Sequence, residues 1–205
     1  MSQHCSQCTL AADYCICRHV TQHQPSVTFA LLLHANEPQR LTNTAPLIEQ
    51  TVASSMRFIW QRKQPPEQLL KMINSPDYQP WLIFPADRPE LEARSSPWQP
   101  AIAPKKPLFI LPDGTWKEVR KMVRQSPWLD DIPILAFDPS EPTRYTLRRN
   151  PDADHLCTAE VASQLLNLSG HPEAAASLDH LLDKFLQHYH QWQHHLPPPS
   201  EGTCE

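Results

Sequence analysis

The sequence predicts an α/β fold with a mostly parallel sheet and helices on both faces. Three observations lead there. Short runs that are apolar throughout recur along the chain as VTFALLL (27–33), WLIF (81–84), LFIL (108–111) and IPILAF (132–137). Helical patterns lie between and after them, and strands buried on both faces lose the polar alternation of a half-wet sheet. The chain has 205 residues, 40% of them apolar, enough for one sizeable core and a small appendage.

The first element is not part of that core. Cys5, Cys8, Cys15 and Cys17 form a C-x₂-C-x₆-C-x-C pattern within the first 17 residues. No segment reads as a signal peptide and no apolar stretch approaches membrane length, so the expected setting is cytoplasmic, away from membranes, and thiols there stay reduced. Two close thiolate pairs can surround one zinc ion tetrahedrally. Four thiolates leave no open position, which makes the expected zinc structural rather than catalytic; His4 and His19 are weaker candidate ligands. Residues 1–24 are therefore expected to be a zinc-binding module with its connector, 25–196 the main domain, and 197–205 a disordered tail.

After the strand at 27–33, NTAPLIEQTVASSM places Leu47, Ile48, Thr51 and Val52 at helical spacing, with Asn43 or Thr44 available as a cap. Further helical patterns cover 66–73, 116–125, 158–168 and 173–195. In the last, Leu178, Leu181, Leu182, Phe185, Tyr189 and Trp192 make one apolar stripe. Gly170 suits the C′ position of the preceding helix and Pro172 the first turn of the next. Residues 85–107 read as a long Pro-rich loop, a length that in a compact domain is usually functional or disordered.

Composition excludes some chemistry. With only three glycines, neither a G-x-G-x-x-G turn nor a Walker loop can be written. A net charge of −4 means that any nucleic-acid surface must come from local clustering. No Ser-His-Asp or HExxH pattern points to a hydrolase.

The stretch ILPDGTWKEVRK (110–121) concentrates the remaining information. Thr115 followed three residues later by Glu118 fits a capping box, worth roughly 1 kcal/mol to the helix it starts. Along that helix Trp116, Val119, Met122 and Val123 gather on one side; Lys117, Arg120, Lys121 and Arg124 gather on the other. Asp-Gly alone is a turn dipeptide. Here it stands at a strand's C-terminal end, where open parallel sheets place ligand crevices.

These motifs resemble the DTW-domain family, the tRNA-uridine aminocarboxypropyltransferases. The resemblance rests on CSQCTLAADYCIC (5–17), LLLHANEPQRLTNT (31–44), PDGTWKEVRKM (112–122) and SEPTRYTLRRNPDADHLCTAEVASQLL (140–166), in that order. It implies a SPOUT-like fold with a C-terminal trefoil knot and S-adenosylmethionine as donor. The implied reaction moves the 3-amino-3-carboxypropyl group to N3 of a uridine in the variable loop of tRNA, releasing methylthioadenosine.

On the residues, Asp113 is the candidate base for the N3 proton, or alternatively a group that binds the donor's ammonium. Trp116 could stack on uracil or adenine, and Thr115 joins them as a candidate catalytic residue. The donor is expected against Leu111, Pro112, Gly114 and Arg148, with Leu156, Thr158 and Glu160 carried over from the resemblance alone. His34, Glu37, Arg40 and Asn43 are expected either to shape the donor or uridine pocket or merely to cap the next helix. Lys105, Lys106, Lys117, Arg120, Lys121 and Arg124 would contact tRNA phosphates, and Arg144, Tyr145 and Arg149 complete the expected RNA-facing set. No protein partner is evident. A SPOUT methyltransferase and a non-catalytic zinc-containing RNA-binding protein are the competing readings.

Overall fold

The computed structural model describes residues 4–135, 143–147 and 156–199. It contains five strands, β1 Thr28–Leu33, β2 Met56–Ile59, β3 Tyr78–Ile83, β4 Lys106–Asp113 and β5 Ile134–Leu135. The described residues also form six α-helices: α1 Ala45–Thr51, α2 Glu67–Ile73, α3 Pro89–Glu92, α4 Trp116–Arg124, α5 Thr158–Leu168 and α6 Pro172–Gln193. The chain divides into two compact units. One comprises Pro25–Arg40 and Ser54–Asp138, the other Met1–Gln24, Leu41–Ala53 and Pro139–Glu205.

The first unit holds the sheet, ordered β2-β1-β4-β3-β5 with every pairing parallel. The central strands β1 and β4 are buried on both faces over their apolar runs. Ala30, Leu32, Leu82, Leu108 and Ile110 meet Leu69 and Met72 of α2, Leu91 of α3, and Val119, Met122 and Val123 of α4 in one core cluster. On the opposite face Phe29 and Phe109 are fully buried, and Trp98 lies against Phe109 at 5.4 Å and Trp81 at 5.8 Å. The expected long loop is therefore tied down: it carries α3, Trp98 packs on the sheet, and Arg94 donates to the Ile132 carbonyl at 2.9 Å.

Several features differ from the sequence reading, among them β3, which starts at Tyr78 rather than at Trp81. β4 runs two residues beyond the apolar run at each end, taking in Pro107 and Pro112. A proline near either end of a strand keeps the extended backbone and forfeits one donor. β2 was not expected. Only Phe58 of its four residues is buried, so this edge strand has no run of apolar side chains to announce it.

In the second unit α5 and α6 pack on each other and on α1. The α6 stripe is as expected, with Leu178, Leu181, Leu182 and Phe185 buried, and it also buries His188. Gly170, at φ +83°, stands in the left-handed conformation that ends α5. Pro172 opens α6. α1 stops at Thr51, where Val52 turns extended and bridges to His23. The Tyr14 hydroxyl donates to the Leu196 carbonyl at 2.7 Å, fastening the N-terminal segment to the end of α6.

Between 136 and 155 the structure describes only residues 143–147. Arg148 and Arg149 thus lie outside the described residues, as do residues 200–205 of the expected tail. No described helix is long and apolar enough to cross a membrane.

Candidate functional site

β1 is followed by β2 on one side of the sheet and β4 by β5 on the other, so strand order reverses between β1 and β4. In open parallel sheets this reversal is where ligands bind, at the carboxyl ends of the strands. Asp113 is the last residue of β4, is 8% exposed, and pairs in register with Leu33 of β1. Its carbonyl accepts the His34 N–H at 2.8 Å. The acid and the histidine thus stand side by side at the switch.

Gly114 explains itself by crowding. A Cβ there would lie 3.2 Å from the Glu118 Cβ and 3.3 Å from the His34 Cβ, so the residue allows the turn to close against the β1 loop. Thr115 then caps α4. The Thr115 N–H donates to Glu118 Oε2 at 2.8 Å, and its hydroxyl to the same oxygen at 2.7 Å. The Glu118 N–H returns to Thr115 Oγ1 at 3.4 Å. The expected capping box is present.

Glu118 does more than cap. Arg40 donates to its carboxylate at 3.1 Å and Asn36 at 3.3 Å, and His34 Nδ1 lies 3.3 Å away. Arg40 also pairs with Glu37, which is buried. Burial alone would raise the Glu118 pKa. The hydrogen bonds from Thr115, with the Arg40 charge and Asn36, outweigh it and hold the carboxyl at about 2. The carboxylate is therefore charged at neutral pH and ties the loop after β1 to the first turn of α4.

α4 lies across the strand ends. Trp116 at its start touches Phe84, the first residue after β3, with ring centroids 5.9 Å apart. Glu118 reaches His34, the first residue after β1. Just beyond its end, the Ser126 hydroxyl accepts from Nε1 of Trp60, the first residue after β2, at 2.8 Å. Trp60 in turn stacks on His34 at 5.9 Å.

The basic face of α4 is exposed at Lys117, Arg120, Lys121 and Arg124. Arg120 is committed: it binds Asp87 at 2.6 Å and sits over the Trp116 ring at 5.6 Å. Lys105 and Lys106 are not brought to this site. They stand at the start of β4, about 23 Å along the strand from Asp113, counting ~3.3 Å per residue. Leu111 is buried within β4 and Pro112 half-buried beside Asp113.

The other predicted residues belong to the helical unit. Asn43 precedes the N-cap Thr44 of α1, and its side chain accepts from the Ala45 N–H at 2.9 Å, while Thr44 Oγ1 accepts from the Ala159 N–H at 3.2 Å. Thr158 opens α5 beside Leu156. Glu160 accepts from the Cys157 N–H at 2.7 Å, the Thr143 hydroxyl at 2.8 Å and the Arg144 N–H at 2.6 Å, so its carboxylate clamps the 143–145 segment to α5. Arg144 is held by Asp179 at 2.8 Å and Asp183 at 3.2 Å, and the Tyr145 hydroxyl donates to the Thr42 carbonyl at 2.6 Å.

All four N-terminal sulfurs lie within 4.8 Å of one another, with Cys5 to Cys17 at 3.6 Å and Cys8 to Cys15 at 3.7 Å. A tetrahedron with zinc–sulfur bonds of about 2.3 Å has edges of about 3.8 Å, so the donor set could hold a zinc ion. A hydrogen bond from Cys17 pulls the Cys8 thiol down to about 6 against its burial.

Sequence reasoning singled out Asp113, Thr115 and Trp116 as candidates, took Glu118 only as a cap partner, and did not single out Asn36 or Trp60. The capping box was the one available signal for Glu118. Its partners 78 and 82 residues away are reached only through the β1–β4 pairing. Residues 2–190 match the family model of the DTW domain. No solved structure matches the chain.

Proposed function

Because the chain belongs to the DTW-domain family, we propose that it is a tRNA-modifying enzyme. Its reaction is the transfer of the 3-amino-3-carboxypropyl group from S-adenosylmethionine to N3 of a variable-loop uridine. The fold on this reading is a SPOUT-like core with a C-terminal knot, and zinc in the four-cysteine site is structural. One observation carries the reading: the DGTW turn and the HANEPQR loop meet on the Glu118 carboxylate at the strand-order reversal.

The donor supplies an electrophilic methylene carbon attached to a sulfonium. Which of the three sulfonium carbons reacts depends on which one the nucleophile approaches in line, so positioning selects the product. Asp113 accepts the N3 proton, giving the imide anion; N3 forms a bond to the methylene carbon, the carbon–sulfur bond breaks with its electron pair to sulfur, and neutral methylthioadenosine leaves. A base in this role contributes about 10²–10⁴-fold. Trp116 offers its face to a flipped base, an interaction worth about 1–3 kcal/mol. Glu118 keeps His34, Arg40 and Thr115 in one arrangement, so the pocket wall is set before the substrates arrive.

The test is incubation with an unmodified tRNA transcript and S-adenosylmethionine, then mass spectrometry of the nucleosides. An aminocarboxypropyl uridine with methylthioadenosine as co-product is expected. A methylated nucleoside with S-adenosylhomocysteine would replace this reading by a methyltransferase, and RNA binding without product by a non-catalytic role.

A further inference from the structure

Trp116 and Glu118 of α4 contact the residues that immediately follow β3 and β1, and Ser126, two residues beyond the end of α4, contacts the residue that follows β2. Its nine residues span about 13 Å at ~1.5 Å per residue. From β3 to β2 is three strand spacings, about 14 Å. The helix packs Val119, Met122 and Val123 into the core cluster, and its first turn and the residue two beyond its end lie beside the carboxyl ends of β3, β1 and β2, so its exposed face borders the switch region. Lys117, Lys121 and Arg124 on that face are exposed and enter no ion pair among the described residues; Arg120 alone is bound, to Asp87.

The line of charge does not stop with the helix. Trp60 is anchored by its indole to Ser126, two residues beyond Arg124, and by stacking to His34. Arg62 and Lys63 follow Trp60 directly and are exposed, again with no ion pair among the described residues. Their backbone is thus pinned near the far end of the α4 stripe, in the loop that follows the edge strand β2.

We propose that Lys117, Lys121, Arg124, Arg62 and Lys63 form one cationic track that takes the RNA phosphodiester backbone on both sides of the reacting nucleotide. This rests on the RNA-modifying reading above and adds the loop after β2 to the binding surface. A file of exposed cations with no ion-pair partner among the described residues, bordering a strand-end site, fits a chain of phosphates passing over it, each contact releasing counterions.

The experiment measures binding of an unmodified tRNA transcript to the full chain, without donor, across a range of salt. The variants are Arg62→Glu/Lys63→Glu, Lys121→Glu/Arg124→Glu and Lys71→Glu. Lys71 lies on α2, which leads to the opposite end of β3, and pairs with Glu67. Each track double variant is expected to lower the slope of log affinity against log salt by about 1 to 2, at about 0.7 per phosphate contact, while Lys71→Glu leaves it unchanged. Arg62→Gln/Lys63→Gln should shift the slope in the same direction and covers any folding defect from charge reversal. Wild-type affinity and slope in both loop variants would overturn the proposal, as would an equal loss in Lys71→Glu. Failure of the wild type to bind RNA would remove this inference and the function together; RNA binding without aminocarboxypropyl transfer would remove only the reaction.

Discussion

The Arg40 guanidinium meets the Glu118 carboxylate at 3.1 Å, joining two segments 78 residues apart in sequence but adjacent across the β1–β4 pairing. Because the same carboxylate also receives both Thr115 donors, it fixes a loop and a helix start at once.

Glu118→Gln should keep a partial cap and lose the charge. A cost of about 1 kcal/mol is expected at neutral pH, modest because Arg40 is a third exposed. The folded-state pKa is lowered from 4.5 to about 2, so the charge stabilises the fold above the unfolded-state value. The gap between wild type and variant should be constant above about pH 5 and close as pH falls from about 4.5 towards 2. Urea melts at a series of pH values would show it; a pH-independent gap would mean that the carboxylate's charge contributes nothing.

Gly114→Ala should destabilise by about 1–3 kcal/mol through crowding. The added methyl meets the Cβ atoms of Glu118 and His34, neither of which is the far end of a flexible chain. Chemical denaturation measures this, and a neutral substitution would show that the turn can relax without loss.

Asp113→Asn should lower turnover by about 10²–10⁴-fold while calorimetry finds donor affinity unchanged, as a base requires. An equal loss of donor affinity would reassign Asp113 to the donor's ammonium group.

Cys8→Ser should abolish bound zinc, read by elemental analysis, and hydrogen exchange should speed up across residues 5–19 while β1 and β4 keep their protection. Binding at such sites contributes on the order of 10 kcal/mol to local folding. Full zinc content in the variant would refute the four-sulfur site.

Much of the fold could be read from the chain. The helices at 158–168 and 116–124 were legible because caps and stripes coincide: Thr115 with Glu118 before Val119, Met122 and Val123, and the 158 start before a run that ends at Gly170. β2 was illegible because Met56, Arg57 and Ile59 face solvent, and β4 looked shorter because Pro107 and Pro112 mask its ends. The site was half legible for a related reason. Asp113 and Thr115 are neighbours in sequence, whereas the partnership of Asn36, Arg40 and Trp60 with α4 exists only after β1, β2 and β4 have aligned.

Glu118 and Glu160 stand at the same place in two helices, the third residue after the cap, and each also reaches back to hold a distant stretch of chain. Shortening either to aspartate would withdraw the carboxylate by one methylene from partners on both sides. These two glutamates should therefore tolerate the least drift in a mutational scan, less than many residues that meet a substrate, and a screen for inactive variants would find them without either having touched the chemistry.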